Sequence, residues 1–161
     1  MSKKFVILYY MKRKIGIVGS RGYSNKRKVK IGIVGSREYS NKRKIKNTVF
    51  ALKNKFGEDI EIVSGGCKYG ADLYAKKYAL DFEMKYKEFN PAHTVQNLYS
   101  AMNEGYYSKE YTPKNFFHRN KLLAKYVDYI IAFIPEGISS NGTIDTIKHA
   151  KKMGKKIVII S

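Results

Sequence analysis

The stretch Lys30–Asn47 reads KIGIVGSREYSNKRKIKN, and the order of its residue types decides the fold. Ile31-Gly32-Ile33-Val34 is a short apolar run, the right length for a buried strand and too short for a helix. Gly35-Ser36-Arg37 stops it. A polar, basic segment follows, and a helix is expected over about Lys44–Phe56, because Ile45, Val49, Leu52 and Phe56 fall at i, i+4, i+7 and i+11. Gly57 ends that helix. The succession is strand, glycine turn, helix N-terminus. Such a junction presents unpaired backbone N–H groups and a positive dipole end to an anion.

The same stretch occurs twice. Lys14–Val29 is KIGIVGSRGYSNKRKV and Lys30–Ile45 is KIGIVGSREYSNKRKI, differing only at Gly22/Glu38 and Val29/Ile45. A period of 16 residues is too short for a strand–helix unit, and two copies do not make a solenoid. The repeat reads as a local tandem duplication. Only the second copy runs directly into a helix, so the second copy is assigned to the core. The first is expected as a surplus edge strand or an arm, and Phe5–Tyr9 as a short extra strand. The chain thus divides into an appendage over residues 1–29 and a domain over residues 30–161.

Outward from the opening stretch, apolar runs and helical patterns alternate. Ile60–Val63 is the second strand, and it ends at Ser64-Gly65-Gly66-Cys67-Lys68-Tyr69-Gly70-Ala71-Asp72, a glycine loop that opens a helix. Met84–Phe89 alternates like a strand. Thr94–Asn103 is expected as a helix, and Gly105–Asn115 as a Tyr-rich loop, a candidate lid or dimer surface. A helix over about Pro113–Tyr126 carries His118-Arg119-Asn120. The strand Tyr129–Ile134 follows, then a loop, a helix opened by Gly142-Thr143, and a last strand, Ile157–Ile160. This is an α/β pattern. It predicts a Rossmann-like three-layer sandwich with a mainly parallel sheet of about five core strands. Ligands of such sheets bind outside the carboxyl ends of the strands, at a topological switch point.

The net charge of +19 invites a nucleic-acid reading, but it is unevenly spread. Residues 1–46 carry 15 Lys/Arg and one acid, Glu38, whereas residues 47–161 carry 17 Lys/Arg against 12 acids. The basic excess belongs to the N-terminal region and its repeat. Cys67 is the only cysteine, which excludes a disulfide framework and a cysteine-based zinc site. His93, His118 and His149 show no metal-ligand spacing, so no metal and no cofactor is implied. Phe5–Met11 is apolar but too short to span a bilayer, and the expected location is cytoplasmic.

Three glycine loops follow strands and should meet at one sheet edge. Gly35, Gly65, Gly66 and Gly142 let backbone approach a ligand closely. Ser36, Ser64, Ser140 and Thr143 offer hydroxyls to phosphate oxygens. Arg37 and Arg119, two of only six arginines, offer forked contacts to phosphate. Cys67 reads as a small residue in a tight turn, and His118 as a helix-face histidine.

The motifs GSREY (35–39), SGGCKYGAD (64–72), RN (119–120) and SSNGTIDTIKHA (139–150) together resemble the SLOG superfamily over about residues 30–160. Within it they are most similar to the small YspA/YpsA-related family of unknown function. The resemblance implies a Rossmann-like fold whose site senses or processes nucleotide-derived ligands. It places Gly35, Ser36 and Arg37 in a first ligand loop and Gly65, Gly66, Gly70 and Asp72 in a second. By the same resemblance Arg119 and Asn120 would face the pocket, and Gly142 with Thr143 would hold phosphate. The related cytokinin-activating phosphoribohydrolases carry PGGxGTxxE. Here the double glycine and the glutamate are missing and Asp145 is the nearest acid, so hydrolysis would fall to Asp145 or Asp72, which would orient water or stabilise charge.

The resulting expectation is a protein that binds a phosphate-bearing, nucleotide-derived small ligand at the carboxyl edge of the sheet, with or without hydrolysing it. The alternative is a single-stranded nucleic-acid binder similar to DNA-processing protein A. In that reading the basic arm follows a strand and Tyr23 and Tyr39 stack bases. A homodimer is expected by analogy with related folds, and no membrane partner is implied.

Overall fold

The computed structural model describes residues 27–161. The strand expected at Phe5–Tyr9 and nearly all of the first repeat copy lie outside the described residues. The first described strand, β1 (Val29–Gly35), is the apolar run of the second copy extended back to Val29. Its residues alternate between two cores. Ile31 and Ile33 point into one hydrophobic cluster and Val34 into another on the opposite face of the sheet. Gly32 leaves room on that second face: a Cβ there would meet Val127 at 3.3 Å and Leu123 at 3.4 Å.

Among the described residues, four further strands join β1 in one sheet: β2 (Ile60–Ser64), β3 (Lys85–Glu88), β4 (Tyr129–Phe133) and β5 (Lys156–Ile160). All pairings are parallel and the order is β3-β2-β1-β4-β5. The chain winds outward from β1 through β2 to β3, then returns to the other side of β1 with β4. The crevice at the carboxyl ends of β1 and β4 is therefore the switch point.

Helices cover both faces. α1 (Lys42–Phe56) and α2 (Gly70–Asp81) pack on one another and on the Ile31/Ile33 face. α3 (Lys114–Tyr126) and α4 (Asn141–Lys152) pack together on the Val34 face. The three-layer α/β sandwich with five parallel strands is thus the observed architecture.

Two local expectations change. α1 starts at Lys42 rather than Lys44, because the Asn41 side chain accepts from Lys44 N at 3.0 Å and caps the helix two residues earlier. Residues 94–103 are not a helix. Their polar side chains take the backbone groups a helix would need. Thr94 Oγ1 donates to Pro91 O at 2.7 Å, Tyr99 N donates to Asn97 Oδ1 at 2.9 Å, and Asn97 N donates to Ser100 Oγ at 2.9 Å. The segment is instead a looped extension of the β3 edge, with Ser100 bridged to Glu88.

Candidate functional site

A cleft of about 650 Å³ opens at the switch point, within the ~300–1,000 Å³ typical of small-molecule sites. Four stretches wall it: the turn after β1, the loop after β2, the start of the loop after β3 together with α3, and the loop from β4 into α4.

Arg119 is the most firmly held cation there. Its Nη1 donates to the carbonyls of Gly65 and, at 2.9 Å, of Phe89, and its Nε donates to Asn120 Oδ1 at 2.9 Å. Nη2 makes no hydrogen bond with a described residue. Burial lowers the pKa of the guanidinium, opposed by the nearby Asp72 carboxylate. An arginine still titrates far above neutral pH, so Arg119 is charged.

Asp72 lies on the other side of Gly65. It accepts from Cys67 N at 3.2 Å. Burial raises its pKa to about 6, even though Arg119 and the Cys67 and Gly65 N–H groups favour the charged form. This carboxylate is the anion at the start of α2. Ala71 N of the same helix donates to Ser36 O at 3.2 Å. The second glycine loop therefore satisfies its N–H groups largely within the protein, and its glycines serve close approach. Gly70, at φ 64, would put a Cβ 2.2 Å from Ser36 O, which locks this loop against the first.

The start of α4 is different. Ser140 caps it through its backbone, and the first intrahelical bond is Ile144 N to Ser140 O at 2.9 Å. The N–H groups before Ile144 have no intrahelical acceptor. The Ser140 and Thr143 hydroxyls lie 2.7 Å apart at this end, and Thr143 is buried. A Cβ at Gly142 would meet nothing within 4 Å, so that glycine is not demanded by packing.

The first loop contributes mainly Arg37. Ser36 is occupied structurally: its N donates to Phe133 O at 3.0 Å and its Oγ accepts from Glu38 N at 3.1 Å. Arg37 is exposed, borders the cleft, and makes no hydrogen bond or ion pair with a described residue.

The structure brings together Gly35, Ser36, Arg37, Gly65, Gly66, Asp72, Arg119, Asn120, Ser140, Gly142 and Thr143. It leaves out three expected residues. Ser64 is fully buried beneath the cleft, 2.6 Å from Tyr86 Oη. Gly70 makes the loop contact just described. Asp145 stands behind the wall, accepting from Asn120 Nδ2 at 3.1 Å and lying 3.6 Å from His149 Nε2. One other reading changes as well. Tyr39 cannot stack on a strand, because it is 3% exposed and packs on Phe133 with ring centroids 5.2 Å apart. His118, expected as a helix-face histidine, does not line the cleft and stacks on Tyr106. Among the described residues, no group of three or more His, Cys, Asp or Glu could hold a metal ion. None of their helices is long and apolar enough to cross a membrane.

The family model for DNA recombination-mediator protein A matches residues 22–161. The chain belongs to the DNA recombination-mediator protein A family. This is one of the SLOG-type branches its loop motifs resemble. No curated protein sequence matches the chain. Among solved structures, it is similar to a molybdenum cofactor binding protein from the phototrophic bacterium Rippkaea orientalis. The TM-score is 0.61 at 20% identity, covering 83% of this chain and 76% of that one. It is also similar to the molybdenum cofactor carrier protein of Chlamydomonas reinhardtii, with a TM-score of 0.57 at 17% identity and the same coverage. These likenesses establish the Rossmann-like fold.

In this member of the DNA recombination-mediator protein A family, a buried carboxylate holds the cleft from below. Glu88, 2% exposed, accepts from Lys76 Nζ at 3.0 Å, Tyr86 Oη at 2.9 Å, Asn90 Nδ2 at 3.0 Å and Asn97 Nδ2. Burial alone would raise its pKa, but the hydrogen bonds from Asn97, Asn90, Lys76 and Tyr86 outweigh it and the net shift is downward. Tyr86 Oη joins this network to Ser64, whose Oγ accepts from Gly66 N at 3.1 Å.

Sequence reasoning missed this network, and it missed the wall made by His93, Pro113, Phe116 and Phe117. The signal for part of that wall was present, since Phe116, Arg119, Asn120 and Leu123 stand at i, i+3, i+4 and i+7 on α3 and all border the cleft.

Proposed function

We propose that this chain binds a phosphate-bearing, nucleotide-derived small ligand in the cleft between the ends of β1 and β4. One observation carries the reading. Arg37 and the unengaged edge of Arg119 face the same cleft as the open N-terminus of α4. Three positive elements thus converge, against a buried Asp72 that is only weakly held in its charged form and an exposed Glu38. Ser140 and Thr143 add hydroxyls at the same helix end. The role is binding rather than turnover: Asp145 is engaged behind the wall, and Asp72 serves the loop that carries it.

A second reading, a site for single-stranded DNA, is favoured by the family match and by the net charge of +19. There the cleft takes one phosphate of a strand and the basic N-terminal region follows the rest.

A thermal-shift screen of the full chain separates the two. The panel contains nucleoside monophosphates, ADP-ribose, NAD, cyclic nucleotides and a short single-stranded oligonucleotide. A ligand at 100 times its Kd adds about 2.7 kcal/mol. A shift with one small nucleotide supports the first reading. A shift with the oligonucleotide alone, lost on deletion of residues 1–26, replaces it with the second.

A further inference from the structure

The cleft lining is of two chemical kinds, polar and aromatic. The polar groups are those assigned above. Beside these polar groups, the loop after β3 contributes Pro91 and His93, and the start of α3 contributes Pro113, Phe116 and Phe117. Most of these rings already have partners. His93 packs edge-on against Tyr111 at 4.8 Å and Phe116 at 5.0 Å, and the Arg119 guanidinium lies 5.9 Å from the Phe116 ring centroid. Phe117 is the exception. It borders the cleft, is 52% exposed, and makes no ring contact among the described residues. It stands three residues before Asn120 on the same helix, which puts the two side chains on neighbouring positions of one helix surface, and both border the cleft.

We propose that Phe117 is the stacking platform of a nucleobase subsite, with His93 and Phe116 as the wall behind it. This rests on the phosphate reading of the polar groups. It goes further by assigning the non-phosphate part of the ligand: a flat aromatic heterocycle. A bare sugar phosphate would leave Phe117 in water. A nucleotide covers it while its phosphate remains at the start of α4. Base–aromatic stacking tolerates any base, because every base has a π-face. The subsite therefore selects nucleotides over sugar phosphates, while the choice among bases is left to polar groups on the ring edge.

The test is calorimetric titration of the full chain with the four common nucleoside monophosphates, ribose 5-phosphate and inorganic phosphate. Wild-type protein and the variants Phe117→Ala and Phe117→Trp are compared. The expected result is that at least one nucleotide binds about tenfold or more tightly than ribose 5-phosphate. Phe117→Ala should close that gap and Phe117→Trp should keep it. Because Phe117 is half exposed, neither change should cost the fold, and the melting temperature of each variant checks this. Equal binding of nucleotides and ribose 5-phosphate, or a gap that survives in Phe117→Ala, overturns the subsite and leaves the phosphate reading standing. No binding of nucleotide, ribose 5-phosphate or phosphate overturns the phosphate reading and the subsite with it.

Discussion

Arg119 and Asp72 meet across the bare backbone of Gly65. A Cβ at Gly65 would stand 2.7 Å from Nη1 of the arginine and 2.7 Å from Oδ2 of the aspartate. The glycine is what permits a half-buried cation and a buried carboxylate to flank one loop while the arginine also reaches the Gly65 carbonyl.

Gly65→Ala and Gly142→Ala should therefore behave oppositely. The first forces Arg119 or Asp72 aside and is expected to cost about 1–3 kcal/mol. The second adds a methyl group to open space at the start of a helix, where alanine is favoured by up to ~1 kcal/mol. Denaturant melts of the two variants check this. A Gly65→Ala protein as stable as wild type would contradict the close packing described.

Asp72 should make stability depend on pH. Its folded-state pKa of about 6 stands above the ordinary ~3.9 of the unfolded chain. Between these values the folded protein holds a proton that the unfolded chain has released. The contribution is thus fully present below about pH 4 and is lost as pH rises through 6. Asp72→Asn keeps an oxygen for the Cys67 N–H and removes the titration. The stability of the variant relative to wild type should climb by up to ~3 kcal/mol from pH 4 to pH 7. A flat difference across that range would show that the carboxyl is not perturbed.

The same proton bears on anion binding. As Asp72 is neutralised below pH 6 the cleft becomes more positive, so sulfate, which does not titrate in this range, should bind more tightly at pH 5 than at pH 7. In Asp72→Asn that trend should shrink, as followed by isothermal titration at constant ionic strength.

Glu88 is expected to be the costliest acid to remove. Glu88→Ala leaves Lys76, Tyr86, Asn90 and Asn97 without their shared acceptor, at about 3–5 kcal/mol. Urea melts at neutral pH measure it. A loss below about 1 kcal/mol would mean that the network relaxes onto other partners.

The fold was legible because the βα junctions after β1 and β2 follow a local rule. Apolar runs stop at glycine, and helical spacing begins a few residues later, as in Ile31–Phe56. The converging loops could be read for the same reason. The direction of each side chain could not. Ser64 looks like a loop hydroxyl, yet the pleat turns it into the Tyr86–Glu88 network. Asp145 lies one turn into α4, where it meets Asn120 instead of the cleft. Residues 94–103 have the spacing of a short helix, but Thr94, Asn97 and Ser100 prefer their own backbone. The aromatic wall depends on that loop folding back beside α3, a long-range placement that no local pattern encodes.

The most direct test of the central claim is the affinity of Arg37→Ala for the nucleotide found in the screen, measured by isothermal titration beside its melting temperature. Arg37 borders the cleft but has no hydrogen bond or ion pair with a described residue, so its loss should leave the fold untouched. The account predicts an unchanged melting temperature without ligand and a roughly 10–100-fold weaker Kd, the worth of one charge-assisted contact to phosphate. An affinity equal to wild type would contradict it and place the phosphate elsewhere.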